Sequence, residues 1–362
     1  MMNWPAWLPL RVDLAPLSPY GAPQVPADAS MNTNENPYPP SPELQASIAQ
    51  AVAKVALTLN RYPDRDATQL RTALASYINE ASSTQTSSAN IWAANGSNEI
   101  IQSLFLAFGG RSAIGFIPSY SMHSLISKVA GTSWIDGGRN PDLTFNVDIA
   151  KAQISEHKPA LTFITTPNNP TGDLIPIEAI SKIAAVVAAH GGLLVVDEAY
   201  AEFSSERSAV TLIGEHPHVV VIRTMSKAFA FAGARLGYLV ADPRVIDAMQ
   251  IVRLPYHLSS ITQAVALTAL NYRAELLGNV ATLIAAREGL VSELKALGLT
   301  TRPSGANFIL FTGFAHTAPQ LWSALLEKGV LIRDVGLSSY LRVSIGNEAE
   351  NKAFIKALRE VL

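Results

Sequence analysis

Short apolar runs alternate with helix-like stretches between about residues 91 and 240. Four of these runs are aliphatic or β-branched and are bounded by turn residues, at 113–117, 161–165, 193–196 and 219–222. Strands that lack polar alternation are covered on both faces, and strands separated by helices pair in parallel. The pattern therefore predicts an α/β fold with a mostly parallel sheet between layers of helices.

Helical periodicity dominates the flanking regions, at residues 42–54, 68–78, 245–252, 260–270 and 275–297. Shorter strand patterns at 308–311 and 341–345 and a closing helical stretch follow, which is typical of a small α+β unit. The first residues are rich in proline and show little periodicity. We therefore predict an N-terminal arm at 1–30, a large domain at 31–275 and a smaller α+β domain at 276–362.

Composition narrows the function classes. Hydrophobic residues make up 48% of the chain, charged residues only 15%, and 27 basic residues balance 29 acidic ones. A chain this apolar is expected to pair with a second subunit, and its balanced charge gives no basic footprint for nucleic acid or an anionic membrane. The absence of cysteine indicates the cytoplasm and excludes thiolate chemistry. The histidine spacing predicts no metal site.

Polar residues follow three of the predicted strands directly. Asn169, Asp197 and Lys227 come after the runs at 161–165, 193–196 and 219–222. Ligands of open parallel sheets bind beyond the carboxyl ends of the strands. An amine, a carboxylate and an amide, with Tyr200 as a phenol, suit a cofactor that has an aldehyde and a pyridine ring. Taken singly, Lys227 is better interpreted as a surface lysine, Asp197 as a helix cap and Asn169 as a turn residue. Their joint appearance at strand ends favours the cofactor site instead.

A phosphate site is predicted at residues 95–99, which open a helical pattern with one apolar face. The backbone N–H groups of Gly96, Ser97 and Asn98 would be free at that helix start, and such groups bind phosphate well. The sequence therefore predicts an anion site close to the first strand of the sheet.

Five motifs carry a family resemblance: NENPY at 34–38, RYPD at 61–64, PNNPTG at 167–172, DEAY at 197–200 and SKAF at 226–229. In these, the sequence resembles the fold-type-I pyridoxal phosphate (PLP) aminotransferases, and its motifs look most like those of histidinol-phosphate aminotransferases. The resemblance covers essentially the whole chain. It implies an enzyme that moves amino groups.

The resemblance also implies roles for individual residues. Lys227 would form the imine with PLP and act as general acid and base, Asp197 would bind the pyridine nitrogen, and Asn169 and Tyr200 would bind the ring oxygen. The catalytic set is thus Lys227, Asp197 and Tyr200. Among the remaining cofactor contacts, Tyr120 would stack on the ring, and Thr224, Ser226 and Arg235 would bind the phosphate. Tyr62 would reach the cofactor phosphate of the other subunit.

For the substrates, the resemblance implies histidinol phosphate and glutamate or 2-oxoglutarate. Arg342 would clamp the carboxylate and Arg333 would share the same cationic corner, because phosphate and carboxylate can use one site. Tyr20, Asn98 and Tyr256 would line the pocket. His123 and His257 depart from the commoner family pattern and are expected to reshape the substrate pocket without touching the cofactor.

Other reactions are also compatible with these residues. An apolar pocket for imidazole could accept phenyl rings, which would make the enzyme an aromatic (phenylalanine) aminotransferase. Threonine-phosphate decarboxylase is a second alternative, because it also handles a phosphorylated amine. A cofactor-binding regulator is a third, although the balanced charge gives no sign of DNA binding.

Overall fold

The four apolar runs form the middle of a seven-stranded sheet in a computed structural model of residues 4–362. The strands of the chain are β1 Ala29–Ser30, β2 Ile91–Ala94, β3 Ala113–Phe116, β4 Trp134–Gly137, β5 Leu161–Thr165, β6 Leu193–Asp197, β7 Val219–Thr224, β8 Gly237–Val240, β9 Thr300–Thr301, β10 Phe308–Thr312, β11 Val330–Leu331, β12 Arg333–Asp334 and β13 Leu341–Ser344. The sheet order is β2-β8-β7-β6-β5-β3-β4.

Pairing in this sheet is parallel from β7 through β6, β5 and β3 to β4, and antiparallel where β8 meets β7 and β2. In the centre, Asp197 is in register with Thr165 on one side and Ile222 on the other. The carboxyl ends of β5, β6 and β7 therefore meet at one edge. The predicted α/β fold with a mostly parallel sheet is confirmed.

Helices cover both faces of this sheet. The helices of the chain are α1 Pro42–Ala56, α2 Thr68–Ser82, α3 Ser97–Phe108, α4 Met122–Ala130, α5 Val147–His157, α6 Ile177–Ala189, α7 Pro243–Val252, α8 Ser260–Asn271, α9 Arg273–Ala296, α10 Ala318–Glu327 and α11 Glu348–Val361. Of these, α10 and α11 pack on the C-terminal strands. Strand β6 shows the two layers, because Leu194 and Val196 join one buried cluster with α2, α6 and α9. Val195 between them joins another cluster with α3, α4 and α7. Adjacent strand residues thus point to opposite cores.

The C-terminal part builds a second, antiparallel sheet in the order β12-β13-β10-β9. Its strands and helices α10 and α11 form the predicted α+β unit. Strand β1 pairs in parallel with β11 of this unit, with Ala29 opposite Val330. The N-terminal segment is therefore attached to the C-terminal part just before it enters the large sheet.

The proline-rich arm has no helix or strand from residue 4 to residue 28, and its first three residues lie outside the described part of the chain. It contacts the body through Arg11, whose guanidinium donates to the carbonyl of Val129 at 2.9 Å. Within residues 4–362, no helix is both long and apolar enough to cross a membrane.

Candidate active site

A cavity of about 550 Å³ opens at the carboxyl ends of the central strands, between the two sheets. Its walls include most of the residues singled out from the sequence: Tyr20, Gly96, Ser97, Asn98, Tyr120, Asn169, Asp197, Tyr200, Thr224, Ser226, Lys227, Arg235, Arg333 and Arg342. Residues from the large sheet and from the small antiparallel sheet thus face the same space. Tyr62 and Tyr256 are not among its walls.

Lys227 lies in the turn after β7 and reaches the cavity with its amine. Its Nζ donates to the carbonyl of Thr33 at 2.8 Å. Burial lowers the pKa of Lys227 from 10.5 to about 8, Arg342 and Arg235 add to this, and Glu35 opposes it. A lysine in this state loses its proton far more easily than a surface lysine, so it can serve as a nucleophile and a base.

Asp197 ends β6 with a buried carboxylate at the wall of the cavity. His123 from α4 bonds to it, with 3.0 Å between Nε2 and Oδ2, and the backbone N–H of Ala199 donates to the other oxygen at 3.2 Å. The His123 ring packs against Phe163, with ring centroids 4.7 Å apart. We expected His123 to shape the substrate pocket. The structure instead places it as a hydrogen-bond partner of Asp197, because its side chain extends from α4 to the carboxyl end of β6.

His257 also lies away from the substrate pocket. Its Nε2 faces the carbonyl of Ala93 at 2.9 Å, and its ring stacks on Trp92 at 5.5 Å between centroids. Its own carbonyl accepts from Asn95, next to the start of α3. His257 therefore supports the loop before α3 and does not line the cavity, because its ring contacts the Ala93 carbonyl and Trp92.

Tyr200 carries a buried hydroxyl between two amides. Asn34 donates to it from Nδ2 at 2.8 Å, and Asn169 donates at 3.4 Å. Burial raises the pKa of Tyr200, so the phenol keeps its proton at neutral pH. The sequence pointed to Tyr200 and Asn169 but not to Asn34, whose only signal was its place in the NENPY motif.

The start of α3 and Arg235 form one anion site. Gly96 has φ of 79° as the residue before α3, and a Cβ added there would lie 2.9 Å from an Arg235 guanidinium nitrogen. A Cβ on Gly237 would lie 2.6 Å from the backbone nitrogen of Ser97. The glycines thus let the guanidinium and the helix start come close together. No carboxylate among residues 4–362 forms an ion pair with Arg235.

Two hydroxyls complete this site. Thr224 Oγ1 and Ser226 Oγ lie 3.0 Å apart on the turn that leads to Lys227, and the backbone N–H of Ser226 donates to Thr224. A helix start, a guanidinium and hydroxyls are the donors that a phosphate needs. Together with the amine of Lys227 and the carboxylate of Asp197, the residues present fit PLP.

Arg333 and Arg342 form a second anion site on the small sheet. They are register partners on the neighbouring strands β12 and β13, so their side chains leave the same face of that sheet. Within the described chain, neither makes an ion pair, and Arg333 forms none with the adjacent Asp334. Arg333 instead faces the hydroxyl of Tyr20 at 3.3 Å.

Arg342 is buried and held by neutral acceptors. It donates to the side-chain oxygen of Asn169 at 2.5 Å and to the carbonyl of Asn32 at 2.6 Å, and its guanidinium lies 5.2 Å from the ring centroid of Phe308. Burial lowers its pKa to about 10. A buried cation with no carboxylate partner is costly unless an anion is bound beside it.

Tyr120 lines the same cavity. Its hydroxyl donates to the side chain of Asn98 at 3.2 Å, and its ring meets His123 edge to face at 5.4 Å. Tyr62 and Tyr256 behave differently. They stack on each other at 4.5 Å between centroids, on a surface outside the cavity of their own chain.

Comparison with known proteins gives a consistent result. The family model described as aminotransferase class I and II matches residues 28–358. The histidinol-phosphate aminotransferase of Mycolicibacterium smegmatis is 52% identical over 98% of this chain and 93% of that protein. That of Thermobifida fusca is 53% identical over 97% of this chain and 95% of its own length.

The fold is shared with solved structures. The histidinol-phosphate aminotransferase of Sinorhizobium meliloti, solved in complex with pyridoxal-5'-phosphate, superposes with a TM-score of 0.82. The alignment covers 93% of this chain and 92% of that one at 23% identity. The family resemblance predicted from the motifs is thus confirmed: the chain belongs to the class I and II aminotransferases and, among them, to the histidinol-phosphate aminotransferase family.

Proposed function

We propose that this enzyme transfers the amino group of L-histidinol phosphate to 2-oxoglutarate in L-histidine biosynthesis. The products are 3-(imidazol-4-yl)-2-oxopropyl phosphate and L-glutamate. The observation that carries the proposal is a single cavity in which the amine of Lys227 lies among three arginines that have no carboxylate partner in the described chain. Relatives above 50% identity bear the name of this activity.

PLP, when bound, supplies an electron-withdrawing ring that makes the substrate α-proton acidic. Asp197 would hold the pyridine nitrogen, Asn169 and Tyr200 the ring oxygen, and Tyr120 would stack on the ring. The start of α3 at Gly96, Ser97 and Asn98 would hold the phosphate together with Thr224, Ser226 and Arg235. Each of these side chains or backbone groups lines the one cavity.

Lys227 performs the proton transfer in this proposal. Its amine, Nζ, would take up the proton from the substrate carbon and hold it for return, acting as the general base and then the general acid. Its lowered pKa, about 8, suits this task because a base works best when its pKa is close to the operating pH. The carbonyl of Thr33 accepts a hydrogen bond from Nζ and so gives the free amine a fixed position.

The substrate pocket would use the second anion site. Arg342 and Arg333 would bind the phosphate of histidinol phosphate in one half-reaction and a carboxylate of 2-oxoglutarate in the other. Tyr20 from the arm lies beside Arg333 and Asn98 beside Tyr120, both on the cavity wall. These contacts support their proposed role in substrate binding.

We also propose a homodimer with shared active sites. Tyr62 and Tyr256 stack on the outer surface, and apolar side chains around residues 57–62 and 251–261 are exposed with them. A solvent-facing apolar patch of this kind is typical of a subunit interface. Tyr62 would reach the phosphate of the cofactor in the partner, and Tyr256 the substrate pocket. A cytoplasmic location stays a prediction.

The proposed domain division follows the two sheets. The seven-stranded sheet lies within residues 91–240, and the antiparallel sheet lies within residues 300–344. Helix α9, Arg273–Ala296, runs between them and begins near the proposed boundary at 275/276. Because β1 pairs with β11, the end of the arm at residues 1–30 would move with the small domain.

A substrate panel on the purified, PLP-supplemented protein tests the function. We expect kcat/KM for histidinol phosphate with 2-oxoglutarate to exceed that for phenylalanine by at least about 100-fold, since a buried polar corner rejects substrates that leave it unpaired. Arg333→Gln should remove most of this preference, whereas Arg111→Gln, which changes an arginine on the far side of the chain near His190, should not.

Two outcomes would contradict the proposal. A preference for phenylalanine would make the enzyme an aromatic aminotransferase. Release of carbon dioxide from threonine phosphate, without transamination of histidinol phosphate, would make it a decarboxylase.

A further inference from the structure

Asn34 occupies an unusual position between three parts of the chain. It is 2% exposed and lies in the left-handed region with φ of 55°. Its side chain bonds to Tyr200 in the large domain and to Ser344 on β13, and its carbonyl accepts from Asn307. A buried amide with all its groups engaged this way is fixed in orientation.

The direction of each hydrogen bond follows from the donors available. The backbone N–H of Asn34 donates to Ser344 Oγ at 2.9 Å, so the serine hydrogen is free to point at Asn34 Oδ1, also at 2.9 Å. The structure places the oxygen of the Asn34 amide towards Ser344, where it gives the serine hydrogen an acceptor. Its nitrogen, Nδ2, then faces the Tyr200 hydroxyl.

Asn169 is oriented by the same logic. Its side-chain oxygen accepts from Arg342, which can only donate, so its Nδ2 faces Tyr200. The Tyr200 oxygen thus accepts from Asn34 at 2.8 Å and from Asn169 at 3.4 Å. With both lone pairs occupied, the only hydrogen-bonding capacity that Tyr200 has left is its own O–H.

We propose that Asn34 is a positioning residue that makes the Tyr200 hydroxyl a hydrogen-bond donor towards the ring oxygen of bound PLP. The inference rests on the proposed function and deepens it. The charged groups that face the Tyr200 hydroxyl are Arg342 from β13 and Asp197 from β6, and burial raises the pKa of Tyr200, so the proton to be donated is retained.

Asn34→Asp is the sharpest variant. Aspartate tolerates the left-handed backbone and has nearly the same size, and one of its oxygens can still accept from Ser344. The other oxygen can only accept, so the Tyr200 hydrogen would turn towards it and away from the cofactor. The substitution therefore exchanges the donor and acceptor roles in the hydrogen bond between residue 34 and Tyr200.

The experiment titrates the visible absorption of the PLP-loaded protein against pH. A donor to the ring oxygen stabilises its ionised form, so losing that donor raises the pH at which the band changes. We expect Asn34→Asp to raise this midpoint by roughly one to two units, the size of a hydrogen bond to a charged group. Ser344→Ala, which only frees the amide to rotate, should raise it less, and it keeps the test available if Asn34→Asp fails to fold.

The Tyr200→Phe background is the control for the added charge. There, Asn34→Asp has no phenol to act through, so any remaining shift measures the effect of the new carboxylate alone. We expect that shift to be the smaller one. Equal shifts in both backgrounds, or an unchanged midpoint in both Asn34→Asp and Ser344→Ala, would overturn the inference. If the unmodified protein neither transaminates nor shows a visible band that borohydride bleaches, the proposed function fails instead.

Discussion

The cavity at the strand ends and the Tyr62–Tyr256 surface differ in how complete they are within one chain. At the strand ends, the side chains of Lys227, Asp197 and Tyr200 all have hydrogen-bond partners from distant segments of the same chain. Tyr62 and Tyr256, by contrast, are 80% and 42% exposed and touch chiefly each other. The side chains of the cavity are thus held in place within one chain, whereas the exposed tyrosines would need the proposed partner subunit to be buried.

The difference has a physical origin. Residues at the carboxyl ends of neighbouring parallel strands converge because the sheet places them there. Tyr62 follows α1 in a surface loop and is not tied to the sheet, although Arg253 anchors the next residues by bonding to Asp66 and to the carbonyl of Arg65. Topology therefore places the residues of the cavity, whereas the proposed sharing of sites between subunits would depend on a surface.

The largest loss of activity is expected for Lys227→Ala, which removes the amine from the cavity at the strand ends. Loss of a general acid and base costs about 10²- to 10⁴-fold, and we expect kcat on histidinol phosphate to fall by at least about 10³-fold. Lys182→Ala, an exposed lysine on α6, should have no effect. Turnover within tenfold of the parent enzyme would exclude the proposed mechanism.

Sequence patterns predicted that the residues of the cavity lie at one edge of the sheet, because the signals for this are local. Each of Asn169, Asp197 and Lys227 lies within a few residues of the end of an apolar strand. The central strands were identifiable because they are buried along their whole length. The edge strand β4, Trp134–Gly137, gave no such run because it is partly exposed and contains Asp136.

The contacts that the sequence did not predict join residues far apart in the chain. Asn34 lies 166 positions from Tyr200 and 310 from Ser344, and His123 lies 74 positions from Asp197. No periodicity or spacing relates such pairs, since only the packing of α4 and the crossing of the N-terminal segment bring them together. The functional groups were thus predictable, but their supporting partners were not.

A smaller effect, on PLP affinity, is expected if the Tyr62–Tyr256 surface completes the active site of a partner subunit. Tyr62→Ala should lower PLP affinity roughly 10- to 100-fold, as expected for one hydrogen bond to a charged group. In mixed dimers of Tyr62→Ala and Lys227→Ala chains, one of the two sites regains both groups. Random pairing should then restore about a quarter of the parent activity at limiting PLP, because half the dimers are mixed.

A second mixture of variants is the control for the proposed sharing of active sites between subunits. Lys227→Ala chains combined with Asp197→Asn chains should show no recovery, because both groups belong to the same chain's cavity. Recovery of activity in this mixture, or no recovery in the mixture of Tyr62→Ala and Lys227→Ala chains, would contradict the proposal that Tyr62 acts in the partner's site while Lys227 and Asp197 act in their own.

A smaller loss of PLP affinity is expected when the hydrogen bond from His123 to Asp197 is removed. His123→Phe keeps an aromatic ring beside Phe163 but removes the hydrogen bond to the buried carboxylate. We expect PLP affinity, measured by fluorescence or absorbance titration, to fall about tenfold. His257→Phe removes a histidine that bonds only to a backbone carbonyl and should change affinity by less than about threefold. Equal effects would mean that His123 does not act through Asp197.

The smallest effect concerns the charge that faces Lys227 across the cavity. With a pKa of about 8, the amine of the PLP-free enzyme is protonated below that pH and neutral above it, so PLP uptake should accelerate with rising pH and reach half its maximum near pH 8. Glu35 raises this pKa, so Glu35→Gln should move the midpoint to lower pH by less than about one unit, because an exposed carboxylate is screened by solvent. Glu43→Gln, on the first turn of α1, is the matched control and should leave the midpoint unchanged. A midpoint near 10.5 in the parent enzyme would mean that the cavity does not desolvate Lys227, and an upward shift in Glu35→Gln would mean that Glu35 acts through structure and not through its charge.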